Sequence, residues 1–174
     1  MQIQACELPP DALLRAARHG TYTDCYVIEM AGRVSQPEYV AAFYTTPLFK
    51  IERLLLKWLC ARPSNDQEAQ ALAAGTLDAF AAWRVEARGD HQLLLADFTG
   101  RTRSWLMTAN VEGNDGARTR LYFGSAVLPV VDARSGQARL GFLFRSLLGF
   151  HRFYSRALLR TASSRIARLR FGKE

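Results

Sequence analysis

The sequence predicts an α+β fold, in which a curved antiparallel β-sheet wraps around a long C-terminal α-helix and short helices follow the first strand. Three observations predict it. The hydrophobic period changes from about 3.6 residues to about 2 after Gly75. Four strand-like runs with short polar turns come next, and the segment 139–174 has the pattern of one amphipathic helix. A chain of 174 residues fits one domain, so residues 1–174 are taken as a single unit.

The first strand is predicted at Tyr22 to Met30, because the run YTDCYVIEM is rich in aromatic and β-branched residues. A helix of about 36–45 follows it. Ser35 and Glu38 have the spacing of a capping box, and Pro37 occupies a first-turn position that helices tolerate.

Two further helices are predicted before the sheet continues. Pro47 should end or kink the first helix, and Leu48 to Ala61 resumes apolar residues at helical spacing. Ser64-Asn65-Asp66 can cap a third helix that runs to Ala74 and is closed by Gly75.

The period-2 region predicts an antiparallel meander of four strands. The first strand alternates strictly, so we expect Trp83, Val85 and Ala87 to be buried and the charged residues between them to face water. The four runs are Trp83 to Arg88, Gln92 to Phe98, Arg101 to Glu112 and Arg118 to Val131.

The C-terminal helix carries the charge of the chain. It holds nine of the 23 basic residues and one of the 16 acidic ones, which leaves 14 basic and 15 acidic residues in the first 138. Its apolar stripe is predicted at Phe144, Leu147, Leu148, His151, Tyr154 and Leu158, and its basic arc at Arg145, Arg152, Arg156 and Arg160. Beyond about Thr161 the arginines point in several directions. We therefore expect a core of about 20–161 and a frayed or partner-dependent basic tail, 162–174.

Several function classes lack their sequence signatures. The glycines form neither a dinucleotide-binding nor a phosphate-binding loop, and no serine lies in GxSxG, although a triad can be assembled from distant residues. Cys6, Cys25 and Cys60 are interpreted as reduced structural thiols. The histidines match no metal-ligand spacing, so we expect no metal and no cofactor. The sequence shows neither a secretory signal nor a long apolar run, and a cytoplasmic protein is expected.

Strand alternation supplies the candidate polar residues of a site. If Glu29 faces water, then Tyr22, Asp24, Tyr26 and Ile28 point inward. The third run has two faces, and we assign the one with the larger side chains inward: Arg103, Trp105 and Met107 rather than Ser104, Leu106 and Thr108. Arg103 would then clamp a ligand carboxylate or phosphate. The alternative is that Arg103 and Asp24 pair with each other or lie at the sheet edge.

A cavity is predicted between the terminal helix and the sheet. Its candidate lining residues are Trp105, Met107, Tyr122, Phe144, Leu148, His151 and Tyr154, with Asp24, Tyr26 and Arg103 near the mouth. Here His151 is either a core histidine with a local hydrogen bond or a proton-transfer residue. Arg145, Arg152 and Arg156 are the candidates for binding an anion or partner.

The order strand, helices, meander and long helix resembles the helix-grip fold of START-like and polyketide-cyclase-like binders of hydrophobic ligands. The runs YTDCYVIEM, AFYTTPLFKIERLLL, DFTGRTRSWLM, TRLYFGSAV and LLGFHRFYSRALL are similar to a bacterial domain family of unknown function, also found fused behind nucleotide-sugar-epimerase-like modules. This resemblance covers about residues 20–160 and implies the fold but no catalytic residue. The helix-grip fold usually has six strands after the helices. Either the fourth run folds over at Gly124, or the sheet is smaller.

Binding of a hydrophobic or amphipathic small molecule is the function that the sequence favours. A cyclase- or isomerase-type enzyme using Asp24, His151 or Tyr154 is one alternative. The other is an interaction module whose basic helix docks on an acidic protein, nucleic acid or anionic lipid surface, with nucleic acid the less favoured of these partners.

Overall fold

A computed structural model of the chain describes residues 2–17, 22–51, 53, 64–113, 116–128, 130–131, 138–139 and 142–171, with the backbone alone for 142–150. The predicted α+β class is confirmed. Most of the helix predicted at 48–61 lies outside the described residues, although residues 47–51 are helical.

The helices are α1 Gln36–Tyr44, α2 Asp66–Ala74 and α3 Phe142–Phe171, and Leu13–Ala17 form a 3₁₀ helix. The strands are β1 Gln4–Ala5, β2 Tyr22–Ala31, β3 Ala79–Phe80, β4 Trp83–Gly89, β5 Gln92–Asp97, β6 Thr102–Gly113, β7 Gly116–Val127, β8 Val130–Val131 and β9 Ala138–Arg139.

Seven strands form one antiparallel sheet in the order β1-β2-β7-β6-β5-β4-β3. The four predicted meander strands are β4 to β7, and two-residue strands extend the sheet at both edges. Gly124 lies within β7, which stays paired with β2 and β6 through Val127, so the strand does not fold over at this glycine. The end of the predicted fourth run forms a separate hairpin, β8 with β9.

The alternation predicted for β4 is confirmed in part. Trp83, Val85 and Ala87 are half-buried, and the charged residues between them are exposed. The pairing with β5 shifts register between Val85 and Ala87, so that Val85 pairs with Leu95 and Ala87 with Leu94. This bulge reverses the faces: Trp83 and Val85 pack against the hydrophobic cluster of Leu95, and Ala87 packs against the cluster of Leu94 on the other side of the sheet.

The helix caps form largely as predicted. Asn65 and Glu68 make a reciprocal capping box at α2, and Gly75 ends this helix with φ 78°. At α1, the Ser35 side chain accepts the Glu38 N–H at 3.3 Å. The Glu38 carboxylate does not complete that box, because it accepts hydrogen bonds from Arg170 of α3 at 2.8 and 2.6 Å.

Helices α1, α2 and α3 pack on one face of the sheet, here called the concave face. Side chains of α1 and α3 meet those of β2, β6 and β7 in one hydrophobic cluster. α3 runs in the same direction as β2, since Arg152 contacts Tyr22 and Arg170 contacts Arg33 just after the strand.

The core continues along α3 beyond the expected limit at Thr161. Ala162 and Ile166 are fully buried in the hydrophobic cluster, and Ser163 is also buried. The expectation of a peripheral tail was wrong because it considered only the directions of the arginines around the helix and not the apolar and small residues between them. Small side chains at helical spacing let the helix backbone approach the sheet and continue the stripe.

The opposite face of the sheet, here called the back face, is covered by residues 6–17, the part of the N-terminal segment (residues 2–17) that follows β1. Leu8, Ala12 and Leu14 of this segment form a second hydrophobic cluster with Trp105 and Met107. Gly124 makes the close packing possible, because a Cβ there would lie 2.9 Å from the Leu14 side chain and 3.0 Å from the Trp105 ring.

The prediction that Arg103, Trp105 and Met107 point toward the terminal helix was therefore wrong. Leu106 of the same strand lies in the concave cluster, so its neighbours face the back. Tyr122 also lies on the back face, with its ring centroid 6.2 Å from that of Trp105. The largest side chains of β6 were assigned to the wrong face because the sequence does not reveal that the N-terminal segment covers the back.

Candidate functional site

A row of polar side chains crosses the otherwise apolar concave face. Asp24 of β2 stands opposite Ser125 of β7, which in turn stands opposite Ser104 of β6. All three point toward the helices, and the Ser104 hydroxyl lies 3.4 Å from the Tyr44 hydroxyl of α1. The next row toward the core is apolar and consists of Tyr26, Phe123 and Leu106.

His151 of α3 completes a cluster with two members of this row. The Ser125 hydroxyl oxygen lies 2.6 Å from Asp24 Oδ1 and 2.8 Å from His151 Nε2. The Ser125 backbone N–H also donates to Asp24 Oδ1, at 3.2 Å. His151 Nε2 lies 3.6 Å from Asp24 Oδ2, with the two side chains 23% and 8% exposed. We call Asp24, Ser125 and His151 the polar cluster.

The carboxylate of Asp24 is in an unfavourable environment for a charge. Burial raises its pKa above the ordinary value of 3.8, against the opposing effects of the Ser125 hydrogen bonds, His151 and Arg152. Its Oδ2 atom is buried and has no hydrogen-bond partner among the described residues, with His151 Nε2 3.6 Å away. A buried acceptor left in this state costs about 1–3 kcal/mol. The polar cluster therefore contains an oxygen suited to accept a hydrogen bond from a ligand.

Two tyrosines and two arginines flank the polar cluster. Arg152 Nε donates to the Tyr22 hydroxyl at 3.1 Å, and the Tyr22 ring meets His151 edge-on at 6.1 Å between centroids. The Arg156 guanidinium lies over the Tyr26 ring, 5.7 Å from its centroid. Burial, followed by the charges of Asp24 and Tyr22, raises the pKa of Tyr26 to about 12. Tyr26 is therefore a neutral hydroxyl at physiological pH.

The geometry differs from that of a nucleophilic serine triad. In such a triad the histidine contacts serine through one ring nitrogen and the carboxylate through the other. Here Ser125 and Asp24 both face His151 Nε2, and Ser125 is only 3% exposed. This arrangement suits hydrogen bonding to a ligand or proton exchange between Asp24 and His151, rather than attack by serine.

The structure brings together some of the predicted site residues. Asp24 and His151 are in contact, Tyr26 lies on the same face, and Tyr154 packs against the concave cluster. Arg103 lies elsewhere. It donates to Glu86 at 2.9 Å and to the Gly100 carbonyl at 2.6 Å, so it is paired, but not with Asp24.

The remaining predicted residues divide into two groups. The side chains of Phe144, Leu148 and Arg145 lie outside the described part of the chain. Arg152 and Arg156 are exposed, as predicted for the basic arc, and each also contacts the protein itself: Arg152 at Tyr22, and Arg156 at Tyr26 and at the Ile3 carbonyl, 3.4 Å away.

Ser125 is the member of the polar cluster that the sequence did not single out. Alternation in the run TRLYFGSAV places it on the same face as Leu121 and Phe123, which was the available signal. Its contact with Asp24 depends on the register between two strands 101 positions apart, which a single sequence does not contain.

No group of three or more His, Cys, Asp or Glu side chains among the described residues comes together as a metal site. Nor is any helix in the described ranges long and apolar enough to cross a membrane. Comparison of the sequence with models of known protein families and with curated proteins finds no match.

Proposed function

We propose that this protein binds a hydrophobic or amphipathic small molecule between the concave face and the N-terminal part of α3. The polar cluster would hold the polar end of this molecule. The observation that carries the proposal is the buried Oδ2 of Asp24, which has no hydrogen-bond partner among the described residues and lies 3.6 Å from Nε2 of the partly exposed His151. Ligand sites typically combine apolar walls with a few such convergent polar groups. The same proposal includes three expectations from the sequence. They are a helix-grip fold of the ligand-binding type, membership of the bacterial domain family, and a cytoplasmic location.

The position of the polar cluster supports this assignment. His151 lies about two turns before Leu158 on α3, which begins at Phe142. The part of α3 that follows His151 seals the core through Leu158, Leu159 and Ile166. The polar cluster thus lies beside this apolar core, within reach of a ligand that has one polar end and one apolar part.

A head-group series tests the proposal. Dodecylamine, dodecanol and dodecanoate should compete with anilinonaphthalene sulfonate for the folded protein in a saturable manner. The chain carries a net charge of +7, which disfavours nonspecific attraction of the cationic amine. Binding of dodecylamine would therefore report a local acceptor such as Asp24.

The Asp24→Asn variant should bind dodecylamine about tenfold or more weakly, since a hydrogen bond to a charged group contributes about 1.5–3 kcal/mol. Its affinity for dodecanol should change by less than about threefold. Tyr122→Phe, on the back face, is the matched control and should bind all three probes as the native chain does. Equal losses in both variants, or no saturable binding, would contradict the proposal.

A second candidate is an acid–base enzyme of the cyclase or isomerase type acting on such a ligand. The specific observation in its favour is that Ser125 joins Asp24 and His151 through hydrogen bonds of 2.6 and 2.8 Å. For any ligand that is turned over, His151→Gln should lower kcat far more than it raises KM. An unchanged kcat in that variant would exclude His151 as the acid or base.

A further inference from the structure

We propose that Cys6 and Cys25 form a dithiol site that reacts with small-molecule disulfides and closes a disulfide between the N-terminal segment and β2. This proposal is independent of the concave-face site. It rests on three features of the described residues: the position of the two thiols opposite each other, on β2 and directly after β1, their unequal access to solvent, and the groove beside the outer thiol.

The two thiols are close: Cys25 lies in β2, and Cys6 directly follows β1. β1 pairs with β2 through Gln4 with Val27 and Ala5 with Tyr26. Continuing that register by one residue places Cys6 opposite Cys25, and the Cys6 N–H donates to the Cys25 carbonyl at 3.0 Å. The two Sγ atoms are 3.2 Å apart. Directly opposed residues in antiparallel strands have Cα atoms about 4.5–5.5 Å apart, within the range that a disulfide spans.

The two thiols differ in access and in acidity. Cys6 is half-buried and lines a groove of about 850 Å³, which Leu8, Arg15 and Tyr122 also line. Cys25 is only 5% exposed. The hydrogen bond between the two thiols lowers the pKa of Cys6, and the same contact, together with burial, raises the pKa of Cys25. Cys6 is therefore the thiol that a reagent in the groove would meet first, and the one more readily ionised.

The reaction has two balanced exchange steps. The Cys6 thiolate attacks one sulfur of a small disulfide RSSR, forming a Cys6–S–S–R bond and releasing RS⁻. Cys25, as it loses its proton to solvent, attacks Cys6 Sγ, so that the Cys6–Cys25 bond forms and a second RS⁻ leaves. Each released thiolate takes up a proton according to its own pKa. The small disulfide is the oxidant, and two RSH molecules are its reduced products.

The new bond would fix the segment that covers the back face. Leu8, Ala12 and Leu14, which follow Cys6 in the chain, pack against Trp105. Closing the loop between Cys6 and Cys25 removes conformational freedom from the unfolded chain. For a chain of this length we expect the oxidised form to melt about 6–12 °C above the reduced form.

The experiment uses the full-length chain with Cys60→Ser and exposes the folded protein to glutathione disulfide. Intact mass without reductant should show the loss of two hydrogens and no retained glutathione. Peptide mapping should locate the bond at Cys6–Cys25, in this variant and in the native chain. Adding Cys25→Ser should trap one glutathione on Cys6, and adding Cys6→Ser should leave the folded chain unmodified.

Three results would overturn the proposal. The first is a stable glutathione adduct on the chain that has both Cys6 and Cys25, without an internal bond. The second is modification of Cys25 in the folded Cys6→Ser chain at the rate of Cys6 in the Cys25→Ser chain. The third is reaction only in denaturant, where all thiols are exposed. Melting temperatures measured before and after oxidation test whether the disulfide stabilises the fold, separately from the exchange reaction.

Discussion

Replacing Asp24 by asparagine should stabilise the protein at neutral pH. Asparagine keeps the Oδ1 acceptor that Ser125 uses through both its hydroxyl and its N–H. It removes the buried negative charge and places an amide NH2 group where the carboxylate Oδ2 stood. Because a buried charge costs more than a neutral amide in the same place, we expect a gain of about 1–3 kcal/mol. For a chain of this size, each kcal/mol raises the melting temperature by about 2–4 °C, so the expected rise is about 2–12 °C.

The stabilisation should depend on pH in a defined direction. Burial raises the pKa of Asp24 in the folded protein above its value in the unfolded chain, near 3.8. The favourable contribution of the protonated form is therefore complete below the unfolded pKa, and it is lost as the pH rises through the folded pKa. The advantage of Asp24→Asn should accordingly be largest at neutral pH and should shrink toward about pH 4.

Thermal and urea unfolding followed by circular dichroism, from about pH 4 to about pH 8, measure both effects. Asp90→Asn, in an exposed turn, is the control and should change the free energy of unfolding by less than about 0.5 kcal/mol. Loss of stability in Asp24→Asn at neutral pH would refute the reasoning. It would mean that the attraction between Asp24 and His151 outweighs the cost of burying the carboxylate.

A truncation and a substitution test the packing on the two faces of the sheet. Truncation after Thr161 should lower the melting temperature severely, because it removes the fully buried Ile166. Deletion of one such side chain alone costs about 2–5 kcal/mol. A truncated chain that melts like the intact one would show that the helix end is peripheral. Gly124→Ala should lower the free energy of unfolding in urea by about 1–3 kcal/mol, because the new Cβ would lie 3.0 Å from the buried Trp105 ring. Gly89→Ala is the control, because a Cβ at Gly89 would have open space around it. Equal effects at the two glycines would contradict the packing described for the back face.

Local signals in the sequence predicted the elements well. The alternation from Trp83 to Arg88 predicts a strand without reference to the rest of the chain, although the bulge after Val85 turns Ala87 to the other face. The run Ser64-Asn65-Asp66 predicts the start of a helix, and Asn65 caps α2 by accepting the Glu68 N–H three positions away. In both cases the stabilising contacts lie within a few positions, so a single sequence contains them.

Features that depend on distant contacts were not predictable in the same way. Alternation in β6 separates Trp105 from Leu106 but does not show which face meets α3, since the N-terminal segment buries the back face as well. Glu38 was expected to complete the capping box of α1, but its carboxylate accepts hydrogen bonds from Arg170, 132 positions later in the chain. For the polar cluster, the sequence proposed Asp24 and His151 separately, and only the β2–β7 register adds Ser125 between them.

The most direct test of the central claim is amide chemical-shift mapping of the full-length protein titrated with dodecylamine. Binding at the polar cluster predicts saturable shifts along Tyr22 to Tyr26, around Ser125 and in α3 near His151. Residues lining the back-face groove, such as Glu7 and Arg15, should not shift. Shifts confined to that groove, or no saturable shifts on the concave face, would contradict the assignment of the ligand site.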